Sequence, residues 1–374
     1  MYLEKIFLKN YRNIKKNIIK LNPGINILIG DNGQGKTNFL ESIYILGTGS
    51  SHRTNRDKEL INWKKESTLI QVNLVKKDYS IKISLIIDNT SKKPKINDNP
   101  LEKFTELIGN LNVVLFSPED LKLVKGSPAN RRKFLNIEVS QVSSYYHKLL
   151  NKYNHVLKQR NNLLKNIRSN TSSNEMLEVW DEQLSELGAK IIKKRLEVIE
   201  KLKILARLNQ RKITEGTENL SIEYKNSIKD NIEEENDIKV IFKQNLVNNR
   251  NKEIERGYTI TGPHRDDLIF KINEKDVRKF GSQGQQRTVA LSLKLAELEF
   301  MKSEIGEYPI LLLDDVFSEL DKKRKNTLIN VIKNNIQTII TSTDFEEFES
   351  FSNSIKYFKV NNGNLKKIDK KIGG

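Results

Sequence analysis

The chain has 374 residues, with 65 Lys and Arg against 48 Asp and Glu, so its formal net charge is +17. At roughly 150 residues per domain, this length predicts two domains or one large domain with an insertion. The positive charge favours a polyanionic partner, and compositional drift in a chain rich in Lys, Asn and Ile is the alternative. The absence of cysteine excludes disulfides, thiolate zinc sites and a cysteine nucleophile.

The four histidines are scattered and form no metal-ligand spacing. Apolar runs are far shorter than the roughly 18 residues that a membrane span needs. Charges interrupt the N-terminal segment at every second or third position, which is not typical of a signal peptide. We therefore expect a soluble, basic, cytoplasmic protein with no membrane partner.

The first third of the chain alternates strands and turns. Leu3, Ile6 and Leu8 alternate with charged residues, which predicts a half-buried strand. Residues 25–30 (INILIG) predict a buried strand, and a glycine-rich turn then leads into a helix. Further strands are predicted at 68–75, 79–87 and 112–116.

The middle of the chain has helical periodicity. Apolar residues repeat at three and four from 146 to 167 and from 177 to 205, on either side of a polar turn at 169–174. Two long helices joined in this way are expected to pack as an antiparallel hairpin. The highly charged stretch 213–255 is interpreted as solvated surface and connecting turns.

Strands and helices alternate again after residue 257. We expect a helix after a Gln/Gly-rich turn, a strand at 310–313, a helix at 322–333 and a strand at 338–341.

The strongest motif is GDNGQGKT at residues 30–37, which matches G-x-x-x-x-G-K-[ST] between a predicted strand and a predicted helix. Its glycines allow backbone N–H groups to converge on phosphate oxygens, and the helix N-terminus adds a positive end. Lys36 is expected to reach the β- and γ-phosphates and Thr37 to bind Mg²⁺. The predicted ATP-binding residues of this loop are Gly30, Asp31, Asn32, Gly33, Gln34, Gly35, Lys36 and Thr37.

Two carboxylates end the predicted strand ILLLDD at residues 310–315. Ligands bind at the carboxyl ends of the strands in open α/β sheets. Asp314 is therefore predicted to hold Mg²⁺ with Thr37, and Asp315 to orient or deprotonate the attacking water. Asp315 and Lys36 are the predicted catalytic residues.

A second glycine-rich turn, GSQGQQR at residues 281–287, opens a predicted helix. Ser282 and Gly284 at such a helix start predict a second anion site. One pocket does not need two γ-phosphate sites, so we expect a two-fold dimer in which this turn of one copy closes over the ATP of the other.

Together these motifs resemble the ABC-type heads of SMC-like ATPases and, among them, the RecF family of bacterial recombination mediators. The resemblance runs nearly end to end. The segments that carry it are KNYRN (9–13), GDNGQGKTNFLESIY (30–44), SSHRT (50–54), FSPEDL (116–121), GSPANRRKFLN (126–136), GPHRDDL (262–268), GSQGQQR (281–287) and LLLDDVFSELD (311–321).

The resemblance implies a fold class and a domain order. It implies an α/β P-loop ATPase head built from both chain ends, with an inserted, mainly helical arm. The expected divisions are 1–120 for the N-terminal part of the head, 121–256 for the arm and 257–374 for the C-terminal part of the head.

The same resemblance implies a function. ATP drives head-to-head dimerisation and slow hydrolysis releases it. The dimer binds single-stranded or gapped DNA, helps RecR and RecO to load recombinase, and is needed for SOS induction. Arg12 resembles an arginine near the nucleotide phosphates, and residues 318–321 resemble the D-loop that crosses the dimer.

Some residues depart from the ABC pattern. Asp315 stands where Glu is usual and is one methylene shorter, so slow turnover is expected, and residues 341–344 replace the switch histidine. Because of Asp315, ATPase activity is left open, and a DNA-binding structural protein that never hydrolyses ATP is an alternative. The nucleotide-binding subunit of a membrane transporter is another, which the long insertion and the basic charge oppose.

Two further features have open interpretations. Arg131, Arg132 and Lys133 either touch DNA or form a salt-bridged helix start. His264 is either a catalytic base or part of a structural turn in which Arg265 and Asp266 pair. The sequence does not assign DNA-contacting residues.

Overall fold

A computed structural model describes residues 1–171, 173–226, 234–333, 336–344 and 355–368. The chain divides into two compact units, one of residues 1–120 with 294–374 and one of residues 121–293. The first unit thus combines both chain ends, as the α/β head fold requires. Within the described residues, no helix combines the length and the apolar character needed to cross a membrane.

An antiparallel sheet forms one layer of the first unit. Its inward side chains, such as Leu3, Ile6 and Leu8, are fully buried, because an alternating strand can bury only one face. Its strands, in the spatial order β2-β1-β4-β5-β6-β7, are β1 (Tyr2–Tyr11), β2 (Ile14–Lys20), β4 (Ser67–Val75), β5 (Ser80–Asp88), β6 (Lys92–Ile96) and β7 (Asn99–Pro100).

The second sheet of this unit is parallel except at one edge. Its continuous apolar strands are buried on both faces, as is usual for parallel sheets. Its strands, in the order β15-β14-β3-β13-β12-β8, are β3 (Ile25–Ile29), β8 (Val113–Phe116), β12 (Ile310–Asp314), β13 (Thr338–Ser342), β14 (Ile355–Asn361) and β15 (Asn364–Ile368). Only β15 runs antiparallel to its neighbour. Consequently β3 and β12 end at the same edge.

Helices α1 (Lys36–Thr48) and α10 (Lys322–Ile332) belong to the first unit, together with short 3₁₀ turns at Asp57–Leu60, Phe104–Glu106, Pro118–Asp120 and Phe317–Glu319. Helix α1 follows β3 directly. Its apolar face shares one hydrophobic core with both sheets, through residues such as Phe39, Ile43 and Leu46. This packing fixes the N-terminus of α1 at the edge where β3 and β12 end.

The second unit is mainly helical. A three-stranded antiparallel sheet, β11-β10-β9, accompanies the helices. Its elements are α2 (Leu121–Lys125), α3 (Pro128–Val142), α4 (Ser144–Arg168), α5 (Leu177–Ile213), β9 (Leu220–Lys225), α6 (Glu235–Asn248), α7 (Arg250–Arg256), β10 (Asp267–Ile272), β11 (Lys275–Asp276), α8 (Val277–Phe280) and the first part of α9 (Gln283–Ile305).

The predicted helical hairpin is formed by α4 and α5. Arg160 near the end of α4 bonds Asp181 near the start of α5, with 2.7 Å between Nε and Oδ1. Tyr146 near the start of α4 accepts a hydrogen bond from Arg195, well inside α5. The two helices are therefore antiparallel. Residue 172, within their predicted turn, lies outside the described residues.

Two expectations differ from the structure. The charged stretch 213–255 is not only solvated turns, since it contains β9 and α6, and Ile238, Phe242 and Leu246 of α6 are fully buried. These residues form one apolar stripe at a spacing of four, and residues 227–233 lie outside the described part. The boundary expected at 256/257 falls instead at 293/294, because β10 pairs with β9 of the arm.

Candidate nucleotide-binding site

The glycine-rich loop connects β3 to α1, as predicted. Gly35 has a φ of 111°, in the left-handed region, and a Cβ there would lie 2.8 Å from Asn13 Oδ1. Only glycine fits this close approach. Lys36 is buried, and its Nζ donates to the carbonyl of Gly30 at 2.6 Å. The loop therefore combines a folded-in ammonium group with the N-terminus of a helix, an arrangement that attracts phosphate.

The floor of the site joins the loop to β12 and β13. Thr37 Oγ1 donates to Asp314 Oδ1 at 2.9 Å, and Thr341 Oγ1 also lies 2.9 Å from the same oxygen. Burial raises the pKa of Asp314, and hydrogen bonds from the two threonines oppose this shift. The structure thus brings together the two predicted metal ligands, although they lie far apart in the chain.

A hydroxyl and a carboxylate are hard oxygen donors and fit Mg²⁺, which keeps several waters and takes further ligands from substrate phosphates. No cluster of three or more His, Asp or Glu suited to a metal occurs in the part of the chain that the structure describes. Such a cluster is not needed for a magnesium ion that is bound mainly by a nucleotide. When bound, this ion neutralises phosphate charge.

Asp315 follows directly and has an unusual backbone. Its φ is 50°, and its N–H donates to Thr341 Oγ1 at 2.9 Å. Non-glycine residues with a positive φ are uncommon. The hydrogen bond from the Asp315 N–H to Thr341 helps to stabilise this backbone conformation. A pocket of about 230 Å³ lies in front of it. Its lining consists of Asp31, Asn32, Gly33, Gly35, Lys36, Thr37, Asn38, Arg53 and Asp315.

Arg12 lies beside α1, where it pairs with Glu41. Its Nη2 donates to Glu41 Oε1 at 2.7 Å and its Nε to Glu41 Oε2 at 2.5 Å. Burial alone raises the pKa of Glu41, but the hydrogen bonds and charge of Arg12 outweigh it, so the pKa lies below its ordinary value. The arginine that lines the pocket is Arg53, which donates to Asn38 Oδ1 at 2.7 Å. Sequence reasoning assigned Arg53 no role, although the SSHRT segment contains it.

Gln34 is held from behind by two turns. Its carbonyl accepts from the Gly363 N–H at 2.8 Å and from Asn13 Nδ2 at 3.1 Å. Its side-chain oxygen accepts from the Asn362 N–H at 2.7 Å. The β1–β2 turn and the β14–β15 turn therefore both position the loop, and no sequence pattern indicates this.

Comparisons with known proteins agree with this geometry. The family described as RecF/RecN/SMC N terminal domain matches residues 2–366. A protein of Halothermothrix orenii named DNA replication and repair protein RecF is 61% identical over 367 residues, covering 97% of this chain and 98% of its own. A protein of the same name from Alkaliphilus oremlandii is 50% identical, covering 98% of this chain and all of its own.

This chain belongs to the RecF family.

Solved structures show the same relation. A structure titled as the recombination mediator protein RecF with ATP, in the RecFOR pathway, superposes with a TM-score of 0.92 at 37% identity over 98% of each chain. The Smc head domain of Pyrococcus furiosus superposes with a TM-score of 0.56 at 17% identity, covering 98% of this chain and 96% of that one. The second likeness concerns the fold alone.

The GSQGQQR segment of this RecF-family chain forms the start of α9 in the second unit. Ser282 Oγ accepts from the Gln285 N–H at 3.2 Å, and Gln285 Oε1 accepts from the Ser282 N–H at 3.0 Å. This reciprocal pair is a capping box. Ser282 is exposed and Gly284 is half-buried, so the turn presents a capped helix N-terminus at the surface of its unit.

The GPHRDDL segment is built into the interior of the second unit. Burial lowers the pKa of His264 to about 4, and its Nδ1 lies 2.7 Å from the hydroxyl of Tyr153. Arg265 donates to the carbonyl of Thr259, whereas Asp266 faces Arg195 with 3.5 Å between Oδ2 and Nη1. These contacts agree with the structural turn that was one of the two interpretations of the segment. Arg265 and Asp266 each have other partners and do not form the expected pair with each other.

Arg131 forms a salt bridge at the start of helix α3, which was one of the two interpretations of the basic cluster 131–133. Its Nε and Nη2 donate to the two carboxylate oxygens of Asp267 at 2.6 and 2.9 Å, and it is almost fully buried. Arg132 donates to the Asp266 carbonyl at 2.8 Å. Two of the three basic residues therefore anchor α3 within its unit.

Proposed function

We propose that this RecF-family chain is an ATP-binding and DNA-binding protein of replication and recombinational repair. It acts in the cytoplasm as an ATP-dependent dimer on single-stranded or gapped DNA. It helps to load recombinase together with RecR and RecO, and it contributes to SOS induction. ATP hydrolysis is slow and releases the dimer.

The observation that carries the proposal is the meeting of Thr37 and Asp314 beneath the glycine-rich loop, at 2.9 Å. A hydroxyl at the start of α1 and a carboxylate at the end of β12 meet here although they lie 277 positions apart in the chain. Together with Lys36 they provide a site for Mg²⁺ and for the β- and γ-phosphates of ATP. The ATP-bound RecF relative, with its TM-score of 0.92, supports ATP as the nucleotide.

The size of the pocket supports a dimer. Sites that enclose a drug-sized ligand measure about 300–1,000 Å³. The pocket of about 230 Å³ is smaller, so it suits the phosphates and leaves the rest of a nucleotide to other surfaces. The exposed, capped turn at Ser282 is the element that we assign to the partner's nucleotide.

Asp315 supports slow turnover. Asp315 lines the pocket, and a carboxylate at this position can orient a water. Its side chain is one methylene shorter than the usual Glu, and its backbone is held at a φ of 50°. The water must therefore approach the β12 edge closely before a proton can pass to Asp315.

The test measures mass and DNA affinity on the same samples, with ATP and Mg²⁺, with a non-hydrolysable analogue, and without nucleotide. Lys36→Ala removes the loop ammonium, and Lys77→Ala removes an exposed lysine of the same unit as a control. We expect the wild type and Lys77→Ala to dimerise and to bind gapped DNA tightly only with nucleotide. Lys36→Ala is expected to stay monomeric.

An ATP-dependent dimer of Lys36→Ala contradicts the role of the loop. Monomers of the wild type at saturating ATP, with unchanged DNA affinity, contradict the dimer proposal as a whole.

A further inference from the structure

The outer face of the antiparallel sheet carries lysines in a fixed arrangement. Ile6 and Leu8 of β1 point into the core and are buried, so Lys5, Phe7 and Lys9 lie on the opposite face. Lys9 is exposed, and Lys5 and Phe7 are half-buried. The strand register extends this face across the neighbouring strands.

The register sets lysine opposite lysine twice. Lys5 pairs with Lys20, and Lys9 with Lys16, across β1 and β2. Like charges directly opposite each other in an antiparallel pair are destabilising. We call these four residues, Lys5, Lys9, Lys16 and Lys20, the lysine face.

No carboxylate neutralises the lysine face among the described residues. Asp98 and Asp88, further along the same sheet, pair instead with Lys82 at 2.8 Å and with Lys93 at 2.8 Å. The two repulsive pairs therefore have no internal compensation. Water and salt screen these exposed charges in part, and a polyanion would offset the repulsion further.

The spacing of the lysine face suits a nucleic-acid backbone. The two pairs lie four residues apart along the strands, about 14 Å at 3.4 Å per residue. This distance is comparable with the major-groove width of about 12 Å in B-DNA. Between the pairs lies an uncharged row, Ile18–Phe7–Gln71–Ser84. Two pairs of flexible lysines on a rigid sheet can thus reach phosphates on both sides of a groove.

An exposed tryptophan stands next to this face. Trp63 is 90% exposed, and Lys64 and Lys65 follow it. Its turn is anchored to the end of β1, since the Asn62 N–H donates to the Asn10 carbonyl at 2.8 Å. An exposed aromatic ring on an anchored turn is a stacking platform for an unpaired base.

We propose that the lysine face binds the DNA phosphate backbone and that Trp63 stacks on an unpaired base beside it. This inference rests on the proposed DNA-binding function and assigns residues to it. A duplex on the lysines and an unpaired base on Trp63 together describe a junction between double-stranded and single-stranded DNA.

The test of the lysine face uses double variants that each lose two charges. Lys5→Gln/Lys20→Gln and Lys9→Gln/Lys16→Gln are compared with the control Lys77→Gln/Lys302→Gln, which changes two exposed lysines outside the lysine face. DNA affinity with ATP is measured from 50 to 200 mM salt. Each lost phosphate contact lowers the slope of log K against log salt by about 0.9. We expect the slope to fall by about 2 in each test variant and by much less in the control.

The test of Trp63 compares Trp63→Ala with Trp63→Phe on gapped DNA and on blunt duplex. Stacking of one base is worth roughly a tenfold change in affinity or more. We expect Trp63→Ala to lose about this factor on gapped DNA only, and Trp63→Phe to keep most of the affinity.

Several outcomes overturn the inference. If the slope of log K against log salt is the same in the test variants and in the control, the lysine face is not part of the DNA-binding site. If Trp63→Ala loses the same affinity for gapped DNA and for blunt duplex, Trp63 does not stack on an unpaired base. Loss of the ATP-dependent dimer mass, with unchanged DNA affinity per dimer, assigns this face to contact between copies instead. A wild type that binds no DNA refutes the proposed function itself.

The arginine variant Lys9→Arg/Lys16→Arg keeps the positive charges, so we expect it to keep the salt slope of the wild type.

Discussion

Replacing Gly363 with alanine tests how the phosphate loop is held. Gly363 has a φ of 73°, and an added Cβ would lie 2.4 Å from the carbonyl oxygen of Asn13. The left-handed backbone costs an L-residue about 1–2 kcal/mol. Overpacking against a backbone atom adds about 1–3 kcal/mol. We therefore expect Gly363→Ala to lower the free energy of unfolding by about 2–5 kcal/mol.

The matched control is Gly306→Ala. Gly306 has a φ of 77°, and an added Cβ would meet nothing within 4 Å. It therefore incurs only the backbone cost of about 1–2 kcal/mol. The difference between the two variants isolates the close approach of the β14–β15 turn to Asn13.

Urea denaturation measures both variants, and binding of a fluorescent ATP analogue measures the site. Because the Gly363 N–H donates to the Gln34 carbonyl, we expect Gly363→Ala to bind the analogue more weakly and Gly306→Ala to bind it normally. Equal destabilisation of the two variants, with equal analogue affinity, would refute the idea that this turn positions the loop.

Asp315→Asn replaces the carboxylate with an amide of the same shape that cannot act as a base. ATP hydrolysis is therefore expected to fall, while the ATP-bound dimer persists in light scattering. Glu41→Gln leaves the guanidinium of Arg12 without its anion, and we expect a loss of about 3 kcal/mol by urea denaturation at neutral pH. The folded-state pKa of Glu41 is depressed, so its contribution is present above the ordinary value of 4.5 and is lost as the pH falls through the lower folded value. Arg195→Met leaves the buried carboxylate of Asp266 without this cation, and a loss of about 3–5 kcal/mol is expected in thermal or urea unfolding.

Each of these has a contrary outcome. Unchanged hydrolysis in Asp315→Asn places the base elsewhere. A Glu41→Gln difference that grows on acidification contradicts the assigned pKa direction. The control for Arg195→Met is Lys194→Met, which changes a half-exposed lysine of α5, and equal effects of the two variants contradict a buried network.

The place of the glycine-rich loop and its approach to the end of β12 were predictable because both follow from general rules. Glycines at fixed spacing between a strand and a helix define the phosphate site. The carboxyl ends of parallel strands share one edge, so Thr37 and Asp314 were expected to meet. The helical hairpin was predictable for a similar reason, since its apolar periodicity is long and uninterrupted.

Other features depend on contacts that no local pattern encodes. Arg12 pairs with Glu41, a residue buried by the packing of α1, and no sequence pattern indicates this pair. The bond between Asn362 and Gln34 joins residues 328 positions apart. The buried stripe of α6 was present in the sequence, but the charges around it obscured the period.

The union of both chain ends in one unit has a consequence for synthesis on the ribosome. Leu3 bonds to Gln337 across 334 positions, and Asn17 bonds to Leu365 across 348. At about 5–20 residues per second, the strands flanking β3 emerge roughly 15–70 s after it. Until then the apolar strand β3 lacks both of its neighbours in the sheet, and its backbone groups have no strand to pair with. A chain truncated before β14 lacks the turn whose Asn362 and Gly363 bond Gln34, so the phosphate loop gains these contacts only after β14 and β15 are made.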